Sequence, residues 1–334
     1  MARAVSLRPV GELQLLPVAV DAMGGDNSPS AIVAGARAAA DAGISVVLVG
    51  PPDLVGDTLG LPLVACTEVI SMDDDPAQSV RTKKDSSLVR AAELVRDGQA
   101  CAMVSAGNTG ATMGSALLRM GRLPSVLRPC IGAPIPRPGG TPVVLADAGA
   151  NAECTPQMLV QFARMGAAYC TARYGVANPK IGLLSIGEEA TKGTPLVKET
   201  HELLVATDLN FFGNVEGRDL LNSPVDVIVT DGFTGNVALK TMEGALKFVM
   251  GVLGDVIGTD EATKAAGMTL LPHLLPFVGD LDPDAIGGAM LLGLGGVCII
   301  SHGSSSAKAI TNAISVGREL AIGGSTSKIA ASIL

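Results

Sequence analysis

Seven short runs of this chain are apolar over most of their length, with polar residues mainly at their ends: 17–21, 46–49, 102–105, 143–147, 181–186, 225–230 and 297–301. Apolar and polar residues do not alternate in them, so neither face of the strands they predict can be left in water. Such a pattern belongs to a parallel sheet covered by helices on both sides. Helical spacing fills the intervals. Ser28 and Pro29 are predicted to cap and open a helix running to Gly43. From Thr155-Pro156, the residues Met158, Phe162, Met165 and Tyr169 recur at helical spacing until Gly175. From about Asn236, Leu239, Met242, Leu246, Val249 and Leu253 do the same. Strand–helix alternation of this kind predicts right-handed βαβ units in an α/β fold.

Composition bounds the core. The 334 residues fit two ordinary domains or one large one, with 48% apolar and 17% charged residues. Aromatics are 2% and Trp is absent, so Ala, Val, Leu, Ile and Met must fill the interior. A net charge of −8 argues against broad nucleic-acid binding, though not against a local basic patch. The six cysteines are far apart, form no CxxC pair and accompany only three histidines. They read as reduced core cysteines of a cytosolic protein rather than a zinc site. Arg3, Arg8 and Glu12 argue against a secretory signal, and residues 1–16 read as a loose extension. The apolar run 285–300 holds five glycines and is short for a membrane span, so a buried loop–strand passage is expected.

The strand ends carry the functional signal. They read "DAMGGD" (21–26), "SAGNTG" (105–110), "DAGAN" (147–151), "SIGEEATKG" (185–193), "TDGFTGN" (230–236) and "SHGSS" (301–305). Each is small, polar and glycine-rich. In open parallel sheets, ligands bind beyond the carboxyl ends of the strands, so all six are expected to wall one cleft. Bare backbone N–H groups and helix N-termini favour phosphate or another oxyanion there. Lys84, Lys192 and His302 supply positive charge. Nucleotide and nucleophile motifs are missing. The chain has no GxxxxGK[ST] and no GxSxG, and "GNTGATMG" (107–114) does not have GxGxxG spacing. No cysteine sits in a strand-end loop, which disfavours a covalent thiol mechanism.

Longer stretches carry a resemblance. "VAVDAMGGDNSP", "VRTKKDSSLVRA", "SAGNTGATMGSALLRMGRLP", "DAGANAEC", "GLLSIGEEATKGTPLVKETHELL", "FFGNVEGRDLL", "VDVIVTDGFTGNVALKTMEG" and "HGSS" resemble the phosphate acyltransferases of bacterial phospholipid synthesis, from about Pro17 to near residue 320. The resemblance implies an isocitrate-dehydrogenase-like or phosphotransacetylase-like fold, with two subdomains around a cleft. Residues 17–138 plus 286–334 would form the first subdomain, and 139–285 the second. It implies acyl transfer from fatty acyl-[acyl carrier protein] to phosphate, a homodimer, peripheral membrane contact from the cytoplasm, and a downstream glycerol-3-phosphate acyltransferase as consumer. No cofactor and no metal are expected. The chain departs at Ser306, where the family pattern has an acid, and at Met290, where it has a proline. The alternatives are a phosphotransacetylase acting on acyl-CoA, a β-decarboxylating dehydrogenase, and a non-catalytic membrane scaffold for lipid synthesis. The dehydrogenase would need clustered metal-binding aspartates and a nucleotide pocket, and the sequence presents neither.

A thiolate of pKa near ~8.5 leaves readily, so phosphate can attack a thioester without a covalent enzyme intermediate. The site must desolvate and aim the phosphate. It must also stabilise an oxyanion with fixed donors, each worth roughly 3–4 kcal/mol. Phosphate is assigned to "SAGNTG" (Ser105, Gly107, Asn108, Thr109) with Lys192 and His302, aided by Gly24, Gly25, Lys84, Gly235 and Ser304. Asn151 and Asn236 are candidate oxyanion donors, and Asp21, Asp26 and Asp231 orient the others. Plainer roles also fit. Asp21, Asp231 and the three asparagines suit caps and turns, Lys192 suits a solvated surface, and His302 suits a structural histidine. An acidic carrier protein needs a basic patch, for which Arg119, Arg122 and Arg128, or Arg81, Lys83 and Lys84, are candidates. The segment 267–278, apolar and expected to be broken by two prolines, reads as a dimer contact, an acyl lip or a membrane contact.

Overall fold

The structure, a computed structural model, describes residues 10–137, 139–280 and 283–333. Among the described residues eleven strands form one sheet: β1 (Val18–Asp21), β2 (Val46–Gly50), β3 (Leu63–Ala65), β4 (Ala102–Ser105), β5 (Cys130–Ile135), β6 (Val143–Ala146), β7 (Ile181–Leu184), β8 (Phe211–Val215), β9 (Val227–Val229), β10 (Ala289–Leu292) and β11 (Val297–Ile300). The helices are α1 (Val10–Leu13), α2 (Ser30–Asp41), α3 (Pro52–Val55), α4 (Pro76–Thr82), α5 (Ser87–Arg96), α6 (Thr109–Met120) and α7 (Pro156–Tyr174). After them come α8 (Pro195–Val205), α9 (Gly232–Ile257), α10 (Glu261–Asp280), α11 (Pro283–Ile286), α12 (Ala307–Ile322) and α13 (Ser325–Ile333).

All seven predicted apolar runs are strands, buried on both faces. Val18 and Val20 point into a layer shared with α2, α7 and α12, and Ala19 points into the opposite layer with α5 and α6. Helix α7 shows how the ends are set. Thr155 Oγ1 accepts the Met158 N–H, Pro156 takes the first position, and Gly175 ends the helix at φ 71°. Its stripe of Phe162, Met165 and Tyr169 is fully buried. Each such side chain contributes about 1.5–3 kcal/mol by leaving water.

The strand order is β3-β2-β1-β4-β11-β10-β5-β6-β9-β7-β8, a mostly parallel sheet as expected, with antiparallel pairs at its middle. β10 runs antiparallel to β11 and to β5, and β5 runs antiparallel to β6. The chain direction therefore reverses midway. β1, β2, β3, β4 and β11 point one way, and β6, β7, β8 and β9 point the other. The apolar run 285–300 is no simple loop–strand passage but supplies β10, a tight connection and β11.

Other expectations also change. Residues 1–9 of the supposed extension lie outside the described residues. Within the rest, α1 packs on α12, Leu13 and Leu16 pack against the core, and Arg318 donates to the Gln14 carbonyl. Ser28 does not cap α2; its hydroxyl donates to the Met23 and Gly25 carbonyls, and the helix opens at Ser30. Helix α9 starts at Gly232 rather than Asn236 because Asp231 caps it, its carboxylate accepting from Thr234 N and Oγ1, both at 2.8 Å. Helix α10 runs through Pro272 and Pro276 without a break. Beyond its first turns α9 is uncovered: Phe248, Val249 and Val256 are exposed, as are Met268 and Leu270 on α10.

Candidate active site

Because the sheet reverses, the six glycine-rich loops do not share one edge. They form two groups, one following β1, β4 and β11, the other following β6, β7 and β9.

The first group is interlocked. Asp21 ends β1 with its carboxylate buried. Its Oδ2 accepts from Ser105 Oγ at 2.7 Å and its Oδ1 from the Met23 N–H at 3.1 Å. Burial pushes the Asp21 pKa up, while hydrogen bonds from Ser87, Ser105 and Met23 oppose that shift. Ser105 Oγ also accepts the Gly107 N–H at 3.0 Å. Only glycine fits at position 24, since a Cβ there would stand 2.6 Å from Gly107 N. Gly25, at φ 98°, lies against the Gly303 carbonyl, which accepts the Asp26 N–H at 2.8 Å. Ser301 N donates to the Ser105 carbonyl and closes the set.

Three helix N-termini, those of α2, α6 and α12, open on this group. Asn108 caps α6, its Oδ1 accepting from Ala111 N at 3.0 Å. Its amide nitrogen donates to the Met72 carbonyl at 2.8 Å, so its side chain fixes the loop. The N–H groups of the first turn, at exposed Thr109 and at Gly110, remain for a ligand. His302 is exposed, and its Nδ1 faces Ser304 Oγ at 2.8 Å and the Ser304 N–H at 3.3 Å. A backbone N–H only donates, so Nδ1 accepts, and in the neutral ring the proton is then on Nε2. Exposed Lys84 has no side-chain partner among the described residues. Ser306 caps α12 and its hydroxyl donates to Asp284, so the missing acid of the family pattern is met by a carboxylate from α11. Met290 is buried mid-strand between Ile299 and Gly132.

The second group centres on a residue the sequence reading did not single out. Asp147, fully buried, accepts from the N–H groups of Ile131, Gly149, Ala150 and Asn151 and from Asn151 Nδ2, all within 3.1 Å. Burial raises its pKa, and these donors oppose the rise. Asn151 Nδ2 also donates to the Pro129 carbonyl, so both amide hydrogens are engaged and none remains for an oxyanion. Gly235 lets α9 meet this turn, because a Cβ there would sit 1.9 Å from the Asp147 carbonyl oxygen. The Asn236 side chain covers Gly149 and is exposed, with no side-chain partner among the described residues. Lys192 is likewise exposed and unpaired among them, on a loop that Asn214 Nδ2 ties down through the Glu189 carbonyl at 2.9 Å. The structure thus brings Asp21, Gly24, Gly25, Asp26, Ser105, Gly107, Asn108, Thr109, His302 and Ser304 together. It places Asn151, Lys192, Asp231, Gly235 and Asn236 on the other group.

A groove of about 330 Å³ joins the two, bordered by Gly110 at one end and Asn151 at the other. Of the six proposed docking cations, three are engaged internally. Lys83 binds Asp74 and the Val69 carbonyl, Arg119 pairs with Glu93, and Arg122 donates to the carbonyls of Val126 and Leu127. No helix among the described residues is long and apolar enough to cross a membrane.

Residues 16–328 match the family described as fatty acid synthesis protein. The chain is 47% identical to the phosphate acyltransferase of Elusimicrobium minutum over 323 residues, covering 93% of this chain and 94% of that protein. It is 47% identical to the phosphate acyltransferase of Leptospira biflexa over 315 residues, covering 91% and 93%. A phosphotransacetylase from Streptococcus pyogenes shares the fold, with TM-score 0.61 and 20% identity over 93% of this chain and 97% of that one.

Proposed function

Because the chain belongs to the fatty acid synthesis protein family and is an acyltransferase of the phosphate acyltransferase class, we propose that it moves a fatty acyl group from acyl carrier protein to inorganic phosphate. A phosphate oxygen attacks the acyl carbon and the C–S bond breaks. The carrier leaves as a thiolate that takes the proton released by the phosphate, so atoms and charge balance without a redox partner.

The observation that carries this reading is the interlocked first group, where three loops lie together and the first-turn N–H groups of α6, at Thr109 and Gly110, remain for an anion. Phosphate sits against the first turn of α6, with the His302 Nε2–H as a side-chain donor. Asp21 and Ser105 hold the loops and do not touch the anion. Lys192 and Asn236 reach that phosphate only when the second group approaches the first, so we assign the chemical step to a closed cleft between two lobes. Asp231 then acts through α9, by capping the turn that presents Asn236.

The uncovered apolar residues of α9 and α10 fit a second copy of the chain, and a homodimer in contact with a membrane surface from the cytoplasm is part of the same proposal. An enzyme that accepts acyl phosphate, such as a glycerol-3-phosphate acyltransferase, would consume the product. The test is phosphate-dependent release of free carrier from palmitoyl-carrier protein, with hydroxylamine trapping of the acyl phosphate. Release without phosphate, or no hydroxamate, would overturn the reading.

A further inference from the structure

The groove along α6 has a polarity that the reaction alone does not explain. Its floor is apolar, with Val80, Met113, Leu117 and Leu291. Helices α4 and α6 run side by side in the same direction, since a Cβ on Gly110 would meet Pro76 and one on Gly114 would meet Val80. The groove therefore follows α6 away from its N-terminus. From Gly110 to Leu118 the helix rises about 12 Å. One end opens on Asn108 and Thr109, where phosphate is proposed to bind. Toward the other end stand Arg81 and Arg128, both exposed. Among the described residues neither has an ion pair or a side-chain hydrogen bond, and no carboxylate lines the groove. Their neighbours Lys83, Arg119 and Arg122 are all internally engaged, which leaves Lys84 and these two guanidinium groups, and only the two arginines line the groove.

An apolar slot about 12 Å long, with unpaired arginines at one end and a proposed reaction centre at the other, suits a flexible chain that is anionic at its root and reactive at its tip. The geometry points to the phosphodiester-linked prosthetic arm of the carrier protein as its occupant. Arg81 and Arg128 grip the phosphodiester and face the acidic carrier surface, while the arm lies over Met113 and Val80 with its thioester at the α6 N-terminus. Guanidinium forks match phosphate oxygens in paired hydrogen bonds, which favours arginine in this position. The assignment rests on the proposed use of a carrier-bound thioester.

The test uses the full chain carrying Arg81→Glu and Arg128→Glu together. Both side chains are exposed and unpartnered, so folding is expected to be unaffected, and circular dichroism checks it; Arg81→Gln with Arg128→Gln is the milder pair. Kinetics are compared on palmitoyl-carrier protein and on palmitoyl-N-acetylcysteamine, which presents the same thioester without phosphodiester or protein. The ratio of kcat/KM between the two substrates should fall by about tenfold or more, mainly through the carrier KM, and the salt dependence of that KM should flatten. Gly114→Leu, which puts a side chain into the slot, should likewise lower kcat/KM for the carrier substrate. An unchanged ratio in an active enzyme overturns the docking proposal. A wild-type chain that releases no carrier with phosphate overturns the functional reading instead.

Discussion

Ser105→Ala removes one oxygen that does two jobs. It donates to buried Asp21 at 2.7 Å and accepts the Gly107 N–H at 3.0 Å. A hydrogen bond to a buried charged group contributes about 1.5–3 kcal/mol, and an orphaned buried donor costs about 1–3 kcal/mol. The two share an atom and do not simply add, so the expected loss is about 3 kcal/mol, a sizeable part of an ordinary domain's stability. The loss should depend on pH. Burial holds the folded-state pKa of Asp21 above its unfolded value. Such a group's contribution is complete below the unfolded pKa and is lost as pH rises through the folded one. The Ser105 hydroxyl limits that loss by favouring the ionised carboxylate. Without it the folded pKa moves further up. The variant's deficit is therefore largest at high pH and shrinks as Asp21 protonates. Urea unfolding between about pH 4.5 and 8 measures this. The deficit should reach about 3 kcal/mol at the upper limit and be at least about 1 kcal/mol smaller at the lower. A deficit below about 1 kcal/mol at pH 8, or one that stays constant with pH as a simple cavity would give, refutes the reasoning.

Asp147→Asn keeps one acceptor oxygen and turns an amide toward the donors of Asn151, so urea unfolding should show a loss of about 3–5 kcal/mol; a change under about 1 kcal/mol would count against the network. Lys192→Ala should lower kcat at least about tenfold while stability stays within about 0.5 kcal/mol, because the side chain is exposed and unpaired; full activity ends its proposed role. Burial pushes the thiols of Cys66 and Cys154 up to about 11 and those of Cys170 and Cys298 up to about 12. Fewer than about one of these thiols in a thousand is thiolate at pH 7.5, so iodoacetamide should label the native enzyme slowly and leave turnover intact; rapid inactivation would point to a thiol in the chemistry.

Strands such as Val18–Asp21 and Ile181–Leu184 were legible because burial on both faces leaves the run apolar up to its end. The reversal at β5 and β10 was not. Whether Ala289–Leu292 pairs parallel or antiparallel depends on where its neighbours lie, which local pattern does not encode. One consequence is that six similar loops looked like one site when they form two groups. Asp231 and Asn108 both cap helices, the plainer of the two roles their sequence positions allowed, since Asp or Asn before a helix is a local signal. Asp147 inside "DAGAN" takes most of its donors from residues 149–151, a local turn pattern, but its burial and its bond from Ile131, sixteen residues away, are not encoded locally. The N-terminal helix was hidden for the same reason, as it depends on contact with α12.

Phosphate is proposed to rest against the first turn of α6 beside His302. Amide hydrogen exchange with and without inorganic phosphate tests it most directly. Slower exchange in residues 105–110 and 301–305, with 185–193 unchanged until a thioester is added, is the expected result. Protection confined to 147–151 or 185–193, with the first group unaffected, would place the anion elsewhere and contradict the claim.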